Sequence, residues 1–142
     1  MIEAFTDSSY DAKRNIAGIG IVFNKGIKER NISNFVKASS NNYGEMFAIY
    51  VAAIILHGKD ATIYTDSQTA LQYIDDNIKD KPRTRQQYIE HMHMKMMAYK
   101  IRRLGVSVAK VKAHSSAYKD KNIHNNMADL LAKYGRSKAY VK

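Results

Sequence analysis

Two short apolar runs in this chain finish on the same three residues. Ala4-Phe5-Thr6-Asp7-Ser8 near the start and Ala61-Thr62-Ile63-Tyr64-Thr65-Asp66-Ser67-Gln68 in the middle each read as a β-strand that closes on Thr-Asp-Ser. If both strands belong to one sheet, their aspartates stand side by side at the same sheet edge. Ligands of α/β sheets gather beyond the carboxyl ends of the strands. The pair Asp7 and Asp66 therefore points to a metal site, and other residues matter by whether they can reach it.

The rest of the chain supplies elements for such a sheet. Ile2–Thr6 reads as strand one. Ile16–Phe23 is a second strand, and its glycines suggest a bulge or the close approach of another backbone. Asn24-Lys25-Gly26 has hairpin-turn chemistry, and Ile27–Val36 returns as a more polar, edge-like strand. The break Ser39-Ser40-Asn41-Asn42 offers several helix caps. A helix from Tyr43 to His57 follows, apolar all round between Met46 and Leu56 and closed by Gly58. Ala61–Thr65 is strand four, and Ser67 to Ile74 is a short helix. Asp75–Arg85 is a charged connection that contains Pro82. Tyr88, Met92, Met96 and Tyr99 recur at helical spacing within Arg83–Leu104, a helix that Gly105 ends. Val106–Val111 is strand five, Lys112–Asn122 a polar loop, and Ile123–Arg136 the last helix. This order predicts one α/β domain over residues 1–142. Its five-stranded mixed sheet has three antiparallel N-terminal strands, with strands four and five parallel to the first, and helices flank it.

Composition narrows the partners. Lys and Arg outnumber Asp and Glu by 23 to 13, a formal charge of +10. A field of that sign favours polyanions, nucleic acid first, with an anionic membrane surface as a weaker option. The chain has no cysteine, which removes disulfides, thiol catalysis and Cys-zinc sites and suits a reducing cytoplasm. Glu3 and Asp7 precede any apolar run, unlike a secretory signal. The longest apolar run, Met46–Leu56, is far below the ~20 residues of a membrane span. A soluble, cytoplasmic protein is expected.

Each candidate acid also has an ordinary explanation. Asp66 stands where a helix cap belongs, and Asp7 where a turn residue does. Glu45 completes Asn42-x-x-Glu45, which resembles a capping box. Asp129 lies beside Met127, Ala128, Leu130 and Leu131 and suits a solvated flank. Their combination is harder to dismiss. Four carboxylates within ~4 Å repel by ~1–4 kcal/mol per pair near a surface, a cost that a bound cation removes. Oxygen-only ligands suit Mg²⁺ or Mn²⁺ and not zinc. His91 and His93, two apart on a helix, face different ways and form no metal pair. No Gly-rich phosphate loop or dinucleotide fingerprint is present.

Phe5-Thr6-Asp7-Ser8, Ser40-Asn41-Asn42-x-x-Glu45, Tyr64-Thr65-Asp66-Ser67-Gln68, Val111-Lys112-Ala113-His114 and Asn125-x-x-x-Asp129 resemble, in order, the successive motifs of type 1 ribonuclease H. They cover nearly the whole chain. The resemblance implies an RNase H-like fold and an endoribonuclease that cleaves the RNA strand of RNA–DNA hybrids by two-metal-ion hydrolysis. It implies Asp7, Glu45, Asp66 and Asp129 as metal ligands and catalytic residues, with two Mg²⁺ ions and Mn²⁺ as the alternative. His114 matches the family's proton-carrying histidine, with His124 as the competitor. Asn41, Asn42, Ser67, Gln68 and Asn125 match positions that contact or support the hybrid substrate, whose 2′-hydroxyls distinguish RNA from DNA.

The chain also departs from the family pattern. It has no tryptophan, hence no Trp-rich basic protrusion. Arg83, Arg85, Lys95, Lys100, Arg102 and Arg103 offer either a plainer basic grip or an ordinary solvated helix face. Tyr10–Arg14 lacks the usual Gly-Asn-Pro pattern. Two rivals remain: a relative that cuts DNA structures, as resolvases and integrases do, and a non-catalytic hybrid-binding domain. The Asn-Asn pair and Gln68 speak against the first, and the full set of acids against the second.

Overall fold

The computed structural model describes residues 1–24, 31–79, 81–111 and 119–139. The elements are β1 (Ile2–Asp11), β2 (Ile16–Asn24), β3 (Ile32–Lys37), α1 (Asn41–Leu56), β4 (Ala61–Thr65), α2 (Gln68–Ile74), α3 (Arg85–Leu104), β5 (Ser107–Lys110) and α4 (Lys119–Lys138). They form a five-stranded sheet in the order β3-β2-β1-β4-β5. The β1–β2 and β2–β3 pairs are antiparallel, while β1–β4 and β4–β5 are parallel. This is the mixed sheet that the pattern of elements predicts. The expected hairpin turn Asn24-Lys25-Gly26 lies largely outside the described residues.

Side-chain alternation along the strands splits the core in two. Ala4, Ile21 and Ile63 face α1, where Met46, Ile49, Ala52 and Ala53 meet them, and α3 closes that layer with Met94, Met97, Ala98 and Ile101. Phe5 and Val22 point the other way, toward Ala128 of α4. Helix α1 is thus enclosed between the sheet and α3, as its all-round apolar sequence requires. No helix among the described residues is long and apolar enough to cross a membrane.

Helix α4 sits very close to the sheet. A Cβ on Gly20 would lie 2.0 Å from the Ala128 carbonyl oxygen, and one on Gly18 would lie 1.9 Å from that of Ala132. The β2 glycines therefore serve close backbone approach. Gly135 makes the reciprocal fit against the backbone of Asn34.

Two element ends differ markedly from expectation, each for a physical reason. β1 does not stop at Thr6. Thr6, Asp7, Ser8 and Ser9 look like a turn in sequence, yet they are buried, because β2 continues the ladder from Asp7↔Gly20 to Asp11↔Ile16. The pairing with β4 ends earlier, at Phe5↔Tyr64. Helix α4 starts four residues before Ile123, since its polar first turn carries no apolar periodicity. The helix caps are Ser40 for α1 and Ser67 for α2, so neither Glu45 nor Asp66 is used as a cap. Gly58 and Gly105 both take positive φ after their helices, as expected of such closing glycines.

Arg102 donates to the carbonyls of Tyr73 and Ile74 at 3.2 and 2.8 Å. It thereby closes the C-terminus of α2 and is not merely part of a basic face.

Replacing Gly20 by Ala should destabilise the fold by at least ~2 kcal/mol, because backbone and not a flexible side chain stands in the way. Urea unfolding measures this. An unchanged midpoint would mean that α4 is not seated on β2 as described.

Candidate metal centre

Asp7 lies within β1, two residues past the last β4 pairing, and Asp66 directly follows β4. The parallel register Phe5↔Tyr64, continued two residues, sets them side by side. Glu45 reaches the same place from the first half of α1. Helix and strand can approach there because residue 44 is glycine: a Cβ would lie 2.1 Å from Ser8 Oγ and 2.6 Å from Ala17 Cβ. Carboxylate oxygens of Asp7, Glu45 and Asp66 all lie within 4.8 Å of one another.

The backbone N–H of Ser8 ties two of these acids together. It donates to Asp7 Oδ1 at 2.8 Å and to Glu45 Oε1 at 3.1 Å. Glu45 Oε2 is buried with no hydrogen-bond partner among the described residues. Glu45 is 4% exposed and Asp7 7%. Burial pushes the Asp7 carboxyl up to about 7, and the charges of Asp66 and Asp129 add to the rise. Glu45 is pushed up to about 10, first by burial and then by facing Asp7. At neutral pH the pair holds a proton between them unless a cation takes its place. Asp66 is more exposed, and its carboxyl is still raised, by partial burial and by Asp129. Hydrogen bonds from its own backbone and from the Asn125 side chain, with the Lys110 charge, oppose the rise.

Asp129 stands apart from the other three. Its charge is felt by Asp7 and Asp66, but it falls outside the 4.8 Å group, and its Oδ2 pairs with Lys133 at 3.1 Å. It is carried to the site by the neighbouring Ala128, whose carbonyl rests on Gly20, the cross-strand partner of Asp7.

Of the expected substrate residues, Asn41, Asn42 and Gln68 are exposed. Gln68 Oε1 accepts from Lys110 at 3.2 Å. Ser67 Oγ accepts from the Ala70 N–H at 3.1 Å as a helix cap. The His124 ring stacks on Phe5 with centroids 5.1 Å apart. His114 lies outside the described residues. The sequence reading did not single out Ser8, Gly44 or Lys110. A glycine immediately before the lone acid of an apolar helix was the available signal for Gly44. Ser8 acts through its main chain, which no residue type reveals.

The donor set fits a hard divalent cation. It consists of oxygens only, one of them buried with no partner among the described residues, in a cluster that resists ionisation without a counter-charge.

Carboxyls raised on folding bind more protons in the native state than in the unfolded one. Stability without metal should therefore fall as pH rises from the ordinary carboxylate range through about 7. A divalent cation should raise the melting temperature more at about pH 8 than at about pH 5, because it replaces the protons lost. Thermal melts with chelator and with metal at both pH values check this. Equal shifts at the two would count against a coupled cluster.

The RNase H family model matches residues 1–137. Among curated proteins no sequence relative matches. Solved structures share the fold at low identity. The RNase H1 of the halophilic archaeon Halobacterium salinarum is 17% identical, with a TM-score of 0.68 over 96% of this chain and 98% of that one. The N-terminal RNase H domain of a Mycobacterium tuberculosis protein is 15% identical, also with a TM-score of 0.68, over 98% and 95%. LC11-RNase H1, isolated from compost by a metagenomic approach and solved with an RNA/DNA hybrid, is 20% identical with a TM-score of 0.65 over 99% of both chains. A match over nearly the whole sequence establishes the family: this chain is a member of the RNase H family.

Proposed function

We propose that this ribonuclease H hydrolyses the RNA strand of RNA–DNA hybrids with two Mg²⁺ ions, or Mn²⁺ in their place, as one catalytic domain over residues 1–142 working in the cytoplasm. The observation that carries the reading is the convergence of Asp7, Glu45 and Asp66 from three elements within 4.8 Å, in a chain of net charge +10.

Asp7, Glu45, Asp66 and Asp129 would hold the cations. Bound there, divalent ions neutralise charge on the scissile phosphodiester and ease ionisation of the attacking water. Glu45 gives up the proton that burial otherwise keeps on it, and the Ser8 N–H keeps its carboxylate turned to Asp7. Asp129 joins by exchanging Lys133 for the site; an exposed ion pair of this kind holds by no more than ~0.5 kcal/mol, so the exchange costs little. Asn125 and Lys110 favour the ionised form of Asp66, against the burial and the Asp129 charge that raise its carboxyl. Asn41, Asn42 and Gln68, exposed beside these acids, present amides to a hybrid's minor groove, with Ser67 and Asn125 in support. Such groups read 2′-hydroxyls. His114 is the proton carrier of this scheme, a role that suits imidazole near neutral pH.

Asp7→Asn should lower metal-dependent hybrid cleavage by at least ~10³, about 4 kcal/mol of barrier. End-labelled RNA in a hybrid, incubated with the variant and Mg²⁺, measures the loss; near-normal cleavage would refute the site.

His114→Ala should reduce kcat more than it raises KM. His124→Ala should instead lower the melting temperature, because its ring packs on Phe5. The reverse pattern would exchange the two roles.

A further inference from the structure

Glu90 is the single acid in α3, and it is buried although residues 85–89 before it are exposed. Its carboxylate reaches the turn that enters α1. The Ser39 N–H donates to Oε2 at 2.9 Å. The Ser39 hydroxyl donates to the same oxygen, and the Ser40 hydroxyl donates to Oε1. Ser40 Oγ in turn accepts from the Tyr43 N–H at 3.2 Å. With its one proton committed to Glu90, Ser40 must turn a lone pair to the helix. Glu90 thus orients the cap and places negative charge at the positive end of α1.

The next two residues are Asn41 and Asn42. Glu45, one turn further on, has a separate anchor in the Ser8 N–H and the Gly44 contact. The first turn of α1 is therefore held at two points, by α3 under the asparagines and by β1 under the acid.

We propose that Glu90 is a positioning residue for substrate binding, fixing the Ser39–Ser40 turn so that Asn41 and Asn42 are presented to the hybrid. This rests on the nuclease reading given above. A charge-assisted bond to a buried carboxylate is stronger than a neutral one, so losing it frees the turn while Glu45 stays in place. The consequence falls on binding and not on chemistry.

Steady-state kinetics on an RNA–DNA hybrid separate the two. Glu90→Ala should raise KM by ~10-fold with kcat within ~3-fold of the parent. Glu90→Gln, which keeps one accepting oxygen, should recover part of the loss. Ser39→Ala, milder should the first variant fail to fold, should raise KM in the same direction by less. A fall in kcat with KM unchanged would overturn the assignment, as would a lowered melting temperature with both constants intact. If the parent chain itself fails to cleave hybrid, the nuclease reading falls and this inference with it. If the parent cleaves and none of the variants alters KM, only this inference falls.

Discussion

Mutual repulsion among acids is the constraint around which this molecule is arranged. Asp7, Glu45 and Asp66 are held within a few ångströms of one another, and two of them are nearly removed from water. Left ionised and alone, such groups push apart and resist burial. The fold opposes this with main-chain chemistry: one N–H, from Ser8, donates to two carboxylates. It also opposes it with space, through a glycine at 44 that lets a helix lie against a strand. What remains unbalanced is negative charge with a buried oxygen that has no donor among the described residues, and this is the demand a hard cation meets.

The second requirement is proximity of α4. Small residues on both sides, Gly18 and Gly20 on β2 with Ala128, Ala132 and Gly135 on α4, bring backbone against backbone. That contact carries Asp129 toward Asp7 through a shared register position, since Gly20 is both the partner of Asp7 and the seat of Ala128. Its pairing with Lys133 one turn along the helix shows that nearness alone does not commit a carboxylate to the cluster.

Much of this was legible in the sequence, because alternation and punctuation follow local physics. The strands, which of them run parallel, the enclosed α1 and the closing glycines Gly58 and Gly105 could all be read from spacing. The two Thr-Asp-Ser ends pointed to the place where the carboxylates of Asp7, Glu45 and Asp66 cluster. The exact state of Asp7 could not be read, because a run of buried polar residues in a strand is spelled like a turn. The polar first turn of α4 gave no period to detect. Nothing in the spelling of α3 marks Glu90; only the packing of α3 against α1 turns it inward to two serines. Arg102 likewise passed for surface charge until the end of α2 was placed beside it.

β1 pairs with β2 from Glu3 to Asp11 but with β4 only from Ile2 to Phe5. From Thr6 onward its other edge has no ladder to feed, so an amide there is free to serve side chains. The N–H itself does not depend on the side chain at position 8, although only a small one fits there against Gly44. Any residue but proline supplies the same N–H, and the chain therefore secures its two innermost acids with a group that ordinary mutation cannot remove.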